Sequence, residues 1–221
     1  MKIVFMGTPA FAVPSLDALH KSEHQVIGCV TAPDRPAGRG RKLKSSDVKN
    51  YCLENNIKVL QPEKLRDENF IHELKRLNAD IFIVVAFRML PNIIWKMPPL
   101  GTINLHASLL PDYRGAAPIN WAIINGEQKS GLTTFFINEK IDTGNILLQK
   151  EIDIEYHDNF GTLHDKMMIS GGNLLLDTIN KLKNIKPRLQ NKENSAFKLA
   201  PKLNRENTII QWNKTANEVH N

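Results

Sequence analysis

A chain of 221 residues, 42% hydrophobic and 24% charged, has the composition of a soluble globular protein, one domain with some chain to spare at roughly 150 residues per domain. Disorder, a collagen-like repeat and a disulfide scaffold are excluded, and the longest apolar run, Ile81 to Phe87, falls far short of the roughly 18 residues of a membrane helix. The net charge of +6 is uneven: 34–49 carries six basic and two acidic residues, 180–221 nine basic and three acidic, and the remainder is acidic by four, which suits either a polyanionic partner or solvated lysine-rich loops.

Taken in chain order, strands and helices alternate, which predicts an α/β sheet with crossover helices. KIVFMG at 2–7 reads as a buried strand. Pro9 opens a helix whose apolar face holds Phe11, Leu16 and Leu19, with Pro14 in an early turn, and Gly7 serves the tight turn before it. QVIGCVTA at 25–32 is the second strand. The glycines, prolines and positive charges of APDRPAGRGRKLKSS, 32–46, predict a loop with no regular element. A helix then starts at Ser46 and Asp47 and ends near Asn55, KVLQ at 58–61 is a short strand, and a helix spans 67–77. DIFIVVAF at 80–87 is continuously apolar and so predicts a central strand covered on both faces. Further strands are expected at 101–108, 132–138 and 145–153, with helices at 118–125 and 160–183. Periodicity fades after Lys186, and TANEVHN at 215–221 reads as the opening turns of a helix. Periodic elements therefore occupy 1–186, and the basic stretch 187–221 ends so abruptly that further sequence downstream is expected.

The first strand-to-helix turn, MGTPAF, lacks both GxGxxG and GxxxxGK[ST], which disfavours a dinucleotide fold or a P-loop. The informative stretch is INLHASLLPDYRGAAPINWAI at 103–123. Strand alternation puts Asn104, His106 and Ser108 on one face, at the carboxyl end where open α/β sheets bind ligands. An amide and an imidazole two residues apart can both reach one oxygen and stabilise the oxyanion it becomes under attack; the pair is also compatible with a purely structural role. Asp142 in KIDTG sits in a turn between two strands, where it either bonds its own backbone or folds back to orient His106 for acid–base work. No cysteine lies near these residues, and Cys29 and Cys52 are expected to be buried structural thiols. His20, His24 and His164 lack ligand spacing, so no metal site is expected.

Four segments together, MGTPAFAVPSLDAL at 6–19, DRPAGRGRKL at 34–43, NLHASLLPDYRGAAPI at 104–119 and IDTGNIL at 141–147, resemble the methionyl-tRNA formyltransferases, the tRNA-acting branch of the 10-formyltetrahydrofolate-dependent formyltransferases. The resemblance implies a Rossmann-like, mostly parallel open sheet with helices on both faces, as a catalytic domain over 1–186 followed by a basic linker over 187–221 toward a further carboxyl-terminal domain. It implies that Asn104 and His106 polarise the formyl oxygen of 10-formyltetrahydrofolate, that Asp142 orients His106, and that Ser108, Leu109, Leu110 and Pro111 contact the folate. It also implies that the basic loop, with Arg35, Arg39, Arg41, Lys42 and Lys44, engages the acceptor arm of methionyl initiator tRNA. A cytoplasmic monomer without a metal or membrane partner is the expected form. Arg88, Asp112 and Tyr113 depart from the family pattern, and Arg88 is expected to alter the pocket beside the donor. A sibling acting on an amino sugar or other small amine, a deformylase handing the formyl group to water, and a non-catalytic folate- or RNA-binding module remain as alternatives.

Overall fold

The computed structural model describes residues 1–37, 42–190 and 197–221. In chain order its elements are β1 (Lys2–Gly7), α1 (Val13–His20), β2 (Gln25–Val30), β3 (Arg35–Ala37), β4 (Lys42–Lys44), α2 (Asp47–Glu54), β5 (Val59–Leu60), α3 (Glu68–Arg76), β6 (Ile81–Val85), α4 (Asn92–Trp95) and β7 (Thr102–His106). There follow β8 (Arg114–Gly115), α5 (Pro118–Ile124), β9 (Lys129–Phe136), β10 (Ile146–Asp153), α6 (Phe160–Lys181), β11 (Leu199–Ala200) and α7 (Ala216–His220). Seven strands form one sheet in the order β10-β9-β7-β6-β1-β2-β5. The five from β5 to β7 run parallel, and β9 and β10 join antiparallel at one edge.

Parallel strands are covered on both faces, and the side chains divide accordingly. Ile3, Phe5, Ile81, Ile83, Ile103 and Leu105 pack with Leu16 and Leu19 of α1 and Leu175 of α6. The alternate residues Val4, Met6, Phe82 and Val84 pack with Phe70 and Leu74 of α3 and Ile94 of α4. β1 pairs with β2 on one side and β6 on the other, so the chain reverses its winding there, and the carboxyl ends of β1, β6 and β7 share one edge of the sheet.

Several helix starts follow from side-chain caps. Ser46 accepts the Lys49 N–H at 3.1 Å before α2, Asp67 accepts that of Phe70 at 2.9 Å before α3, and Asn159 and Thr162 form a capping box on α6. Cys29 and Cys52 are buried, unbridged thiols, as their segments predict.

Three expectations need correction. Pro9 starts only a 3-10 turn, Ala10–Ala12; the α-helix begins at Val13, where Pro14 is tolerated because first-turn N–H groups have no helical acceptor. Gly7 is the last residue of β1, not a turn glycine, and close packing requires it: a Cβ there would lie 2.8 Å from that of Ala12. The charged stretch after β2 does hold regular structure, since β3 and β4 pair antiparallel with Arg35 opposite Lys44. A two-stranded ribbon needs only backbone pairing, so apolar periodicity does not reveal it, and Pro36 is accommodated because both strands are edges. α4 passed unread because four residues between prolines are too few to show a period.

Candidate active site

β7 carries the site because its alternation separates two environments. Ile103 and Leu105 face the core, while Asn104 and His106 point to the other side. The strand ends at His106, and there the rule stops: Ser108 does not continue the face. Ser108 is fully buried and its hydroxyl donates to the Asp112 carbonyl at 2.7 Å.

His106 is buried, with a chain of contacts around its ring. Nε2 lies 2.9 Å from the Tyr113 carbonyl oxygen, which can only accept, so Nε2 carries a hydrogen and donates it. Nδ1 faces the Asp142 carboxylate at 3.8 Å, beyond hydrogen-bond length, and is the ring nitrogen left for a third atom. A proton arriving at Nδ1 therefore arrives beside a negative charge. Asp142 in turn accepts the Gly115 N–H at 3.0 Å, so its carboxylate does leave its own turn, as the paired reading of KIDTG requires. Asn104 is half-buried and its carboxamide has no hydrogen-bond partner among the described residues. Half-buried and without a protein partner, the amide still reaches the surface and is available to a ligand's oxygen.

One tight turn, carrying both Asp142 and Gly144, holds this geometry. Asp142 adopts φ 53°, the left-handed region that aspartate tolerates better than most residues. Gly144 lies so close to the next strand that a Cβ would fall 1.6 Å from the Phe136 carbonyl oxygen. Across the site, residues 113–115 are held by the incoming segment of β11, with the Tyr113 N–H donating to the Lys198 carbonyl at 2.6 Å. The Tyr113 hydroxyl donates to Glu127, which also accepts from Lys198, and burial together with the Glu127 carboxylate pushes the phenol up to about 12.

The 108–111 segment is fixed largely from beneath. Thr133 of β9 donates to the Ser108 carbonyl at 2.7 Å and accepts from the Leu110 N–H at 3.1 Å, and Gln149 donates to the Leu110 carbonyl at 2.9 Å. Leu110 packs against Phe135 and Ile146, while Leu109 covers Gly131; Leu109 and Pro111 are the half-buried members of the four. Arg88 does not project beside β7. Its guanidinium donates to the Pro62 carbonyl and, at 2.8 Å, to the Glu63 carbonyl, tying the end of β6 to the chain after β5.

Of the basic residues singled out, Arg35 and Lys44 sit exposed on β3 and β4, and Lys42 pairs through its backbone with Ala37. Arg39 and Arg41 lie outside the described residues. The foot of the hairpin is pinned by Asp34, which accepts from Lys49 Nζ at 2.5 Å and Gln61 Nε2 at 2.9 Å. The hairpin follows the carboxyl end of β2, the same edge of the sheet as His106. Among the described residues no cluster of three or more His, Cys, Asp or Glu is arranged to hold a metal ion, and no helix is long and apolar enough to cross a membrane.

A strand-end amide and imidazole facing a turn carboxylate suit attack on a polarised carbonyl. The family model described as formyl transferase matches residues 1–179. The chain belongs to the formyl transferase family. The methionyl-tRNA formyltransferase of Flavobacterium johnsoniae is 55% identical, with 100% of this chain and 70% of that protein covered. The methionyl-tRNA formyltransferase of Bacteroides thetaiotaomicron is 50% identical over the same shares. Among solved structures, a sugar 3N-formyltransferase determined with dTDP and 5-N-formyl-THF is 25% identical, has a TM-score of 0.73, and covers 100% of this chain and 77% of its own. The phosphoribosylglycinamide formyltransferase of Bacillus halodurans shares the fold at a TM-score of 0.71 with 19% identity, covering 82% of this chain and 95% of its own. Within this formyltransferase frame the residues that sequence reasoning missed are the supports: the Tyr113 carbonyl, the Gly115 N–H, Thr133 and Glu127. Thr133 carried a signal, a polar residue in an otherwise apolar strand; the backbone groups carried none.

Proposed function

We propose that this chain transfers the formyl group of 10-formyltetrahydrofolate to the α-amino group of methionyl initiator tRNA. The single observation that carries the reaction type is the grouping of Asn104, His106 and Asp142 at the carboxyl end of β7, with Nδ1 of His106 and the Asn104 amide left without hydrogen-bond partners among the described residues. The acceptor is supported by relatives named methionyl-tRNA formyltransferase at about half identity across the whole chain.

In the reaction the amine nitrogen attacks the formyl carbon, a new C–N bond forms, and the bond to the folate nitrogen breaks. The amine loses one proton and the folate nitrogen gains one. Asn104 donates to the formyl oxygen as it becomes an oxyanion, and His106 holds or passes a proton at Nδ1 under the Asp142 carboxylate. An α-amino group has a reference pKa of about 7.7–8.0, so part of it is already nucleophilic near neutrality and no strong base is required. In this reading Leu109 and Pro111 of the 108–111 segment meet the folate, and the β3–β4 hairpin meets the acceptor arm with Arg35, Arg39, Arg41, Lys42 and Lys44. The domain is taken to run over 1–186, with Arg188 and the stretch from Leu199 to Pro201 folding back against it, and the working form is a cytoplasmic monomer.

The test is formyl transfer from 10-formyltetrahydrofolate to methionyl initiator tRNA, with an acceptor-free reaction and a His106→Ala variant alongside. Transfer that requires both charged tRNA and His106 is the expected result. Donor loss without acceptor would instead mark a deformylase, and transfer to an amino sugar in place of tRNA would move the chain to the sugar branch.

A further inference from the structure

The family match ends at residue 179, yet the chain beyond it returns to the site. Arg188 exchanges backbone hydrogen bonds with Ile146 at 2.7 and 2.8 Å, which brings Gln190 under the turn that carries Asp142. The Gln190 side chain is fully used there. Its Nε2 donates to the Asp142 carbonyl at 3.0 Å and to the Gly144 carbonyl at 2.6 Å, spanning the turn. Its Oε1 accepts from Nε and Nη2 of Arg114 at 3.1 and 2.6 Å. Arg114 immediately precedes Gly115, whose N–H holds the Asp142 carboxylate, and its guanidinium lies 4.6 Å from the centre of the Phe197 ring.

One half-buried amide therefore ties together both strands of chain that meet at Asp142. From one side it holds the backbone of the turn, where Asp142 keeps a left-handed conformation. From the other it holds the arginine next to the N–H that aims the carboxylate at His106. We propose that Gln190 is a positioning residue for Asp142, and that the chain beyond the matched family domain completes the catalytic geometry. This rests on the formyl-transfer reading. Gln190 touches neither His106 nor a reacting atom, so its effect passes through Asp142.

The test compares Gln190→Ala, Gln190→Glu, Asp142→Asn and the Gln190→Ala/Asp142→Asn pair in formyl transfer by the 221-residue chain. Misplacement of a catalytic group by about an ångström costs up to roughly 100-fold, so Gln190→Ala is expected to lower kcat by roughly 10- to 100-fold with both KM values unchanged. Gln190→Glu is expected to lose as much, because a carboxylate still accepts from Arg114 but has no N–H for two carbonyls. With Asp142 already neutralised, removing Gln190 should slow the enzyme no further. Normal kcat in Gln190→Ala, an effect on KM alone, or losses that multiply in the pair would overturn the proposal. A readout without turnover keeps it separable from the activity: the amide resonances of residues 142–144 should move in Gln190→Ala while those of β1 stay in place. Unmoved resonances refute the positioning role, whereas moved resonances in a chain that transfers no formyl group uphold it and count against the formyl-transfer reading.

Discussion

Asn104 and His106 stand two residues apart on one strand, but their side chains are held in opposite ways. Asn104 has no partner among the described residues, so removing its amide leaves nothing behind unpaired. His106 donates to the buried-side Tyr113 carbonyl, and its loss leaves that acceptor unsatisfied. Both should cost roughly 100- to 1000-fold in turnover, Asn104 as an oxyanion donor and His106 as the group that carries the proton. Only His106→Ala should also cost stability, about 1–3 kcal/mol for the stranded carbonyl. Turnover and urea unfolding measured on both variants check this; an Asn104→Ala variant as destabilised as His106→Ala would mean that the amide has a structural task. The proposed trio was legible only in part: strand alternation pairs Asn104 with His106 and the turn supplies Asp142, but those patterns also fit structural roles, and it was the resemblance of the surrounding motifs that singled the three out. The groups that aim the trio were not legible. A carbonyl at Tyr113 and an N–H at Gly115 have no side-chain signature, and Gln190 lies where periodicity has already faded.

Elements were readable in proportion to how much apolar surface they bury. β1, β6 and α6 each present a long apolar run or stripe and lie within a few residues of where the pattern puts them. β8 and β11, two residues each, exist only because a distant segment pairs with the site loop, and no local pattern encodes such a pairing. That pairing is reinforced by a charge clasp whose pH response can be given a sign. Burial works to raise the Glu127 carboxyl, but the Lys198 ammonium and the Tyr113 hydroxyl outweigh it and hold it below its ordinary value. A carboxyl lowered in the folded state stabilises above its unfolded pKa, about 4.3, and that contribution is lost as pH falls through the folded value. Lys198 is raised by its bond to Glu127, so its side of the clasp persists up to alkaline pH and is lost only above the lysine range. Half of the Lys198 side chain is exposed, which limits the pair to about 1 kcal/mol or less. Glu127→Gln should therefore lower stability by that amount at pH 7 and by progressively less as the pH falls toward 3. Urea midpoints at the two pH values decide it; an equal gap at both would assign the effect to packing and not to charge.

At the scale of the whole molecule, the charge is sorted by position: segments 34–49 and 180–221 are basic while the rest is acidic by four. A polyanion is thus drawn to particular regions and not to the body at large. The hairpin of β3 and β4 sets Arg35 opposite Lys44, both exposed, on a foot fixed by Asp34, Lys49 and Gln61, at the sheet edge that also holds His106. A rigid foot under exposed cations suits contact with phosphates, which supplies affinity and salt sensitivity without reading sequence. If the hairpin meets the acceptor arm, an Arg35→Ala/Lys44→Ala variant should bind initiator tRNA more weakly at low salt. The slope of log K against log salt should then shrink by about 0.9 for each phosphate that is no longer neutralised. Turnover at saturating tRNA should stay near that of the parent, because neither side chain belongs to the proposed trio of Asn104, His106 and Asp142. Binding titrations at several salt concentrations separate the cases: a weaker affinity with a smaller slope places the phosphates on the hairpin, while an unchanged slope would shift the electrostatic attraction to the basic terminal segment, where the remaining positive charge resides.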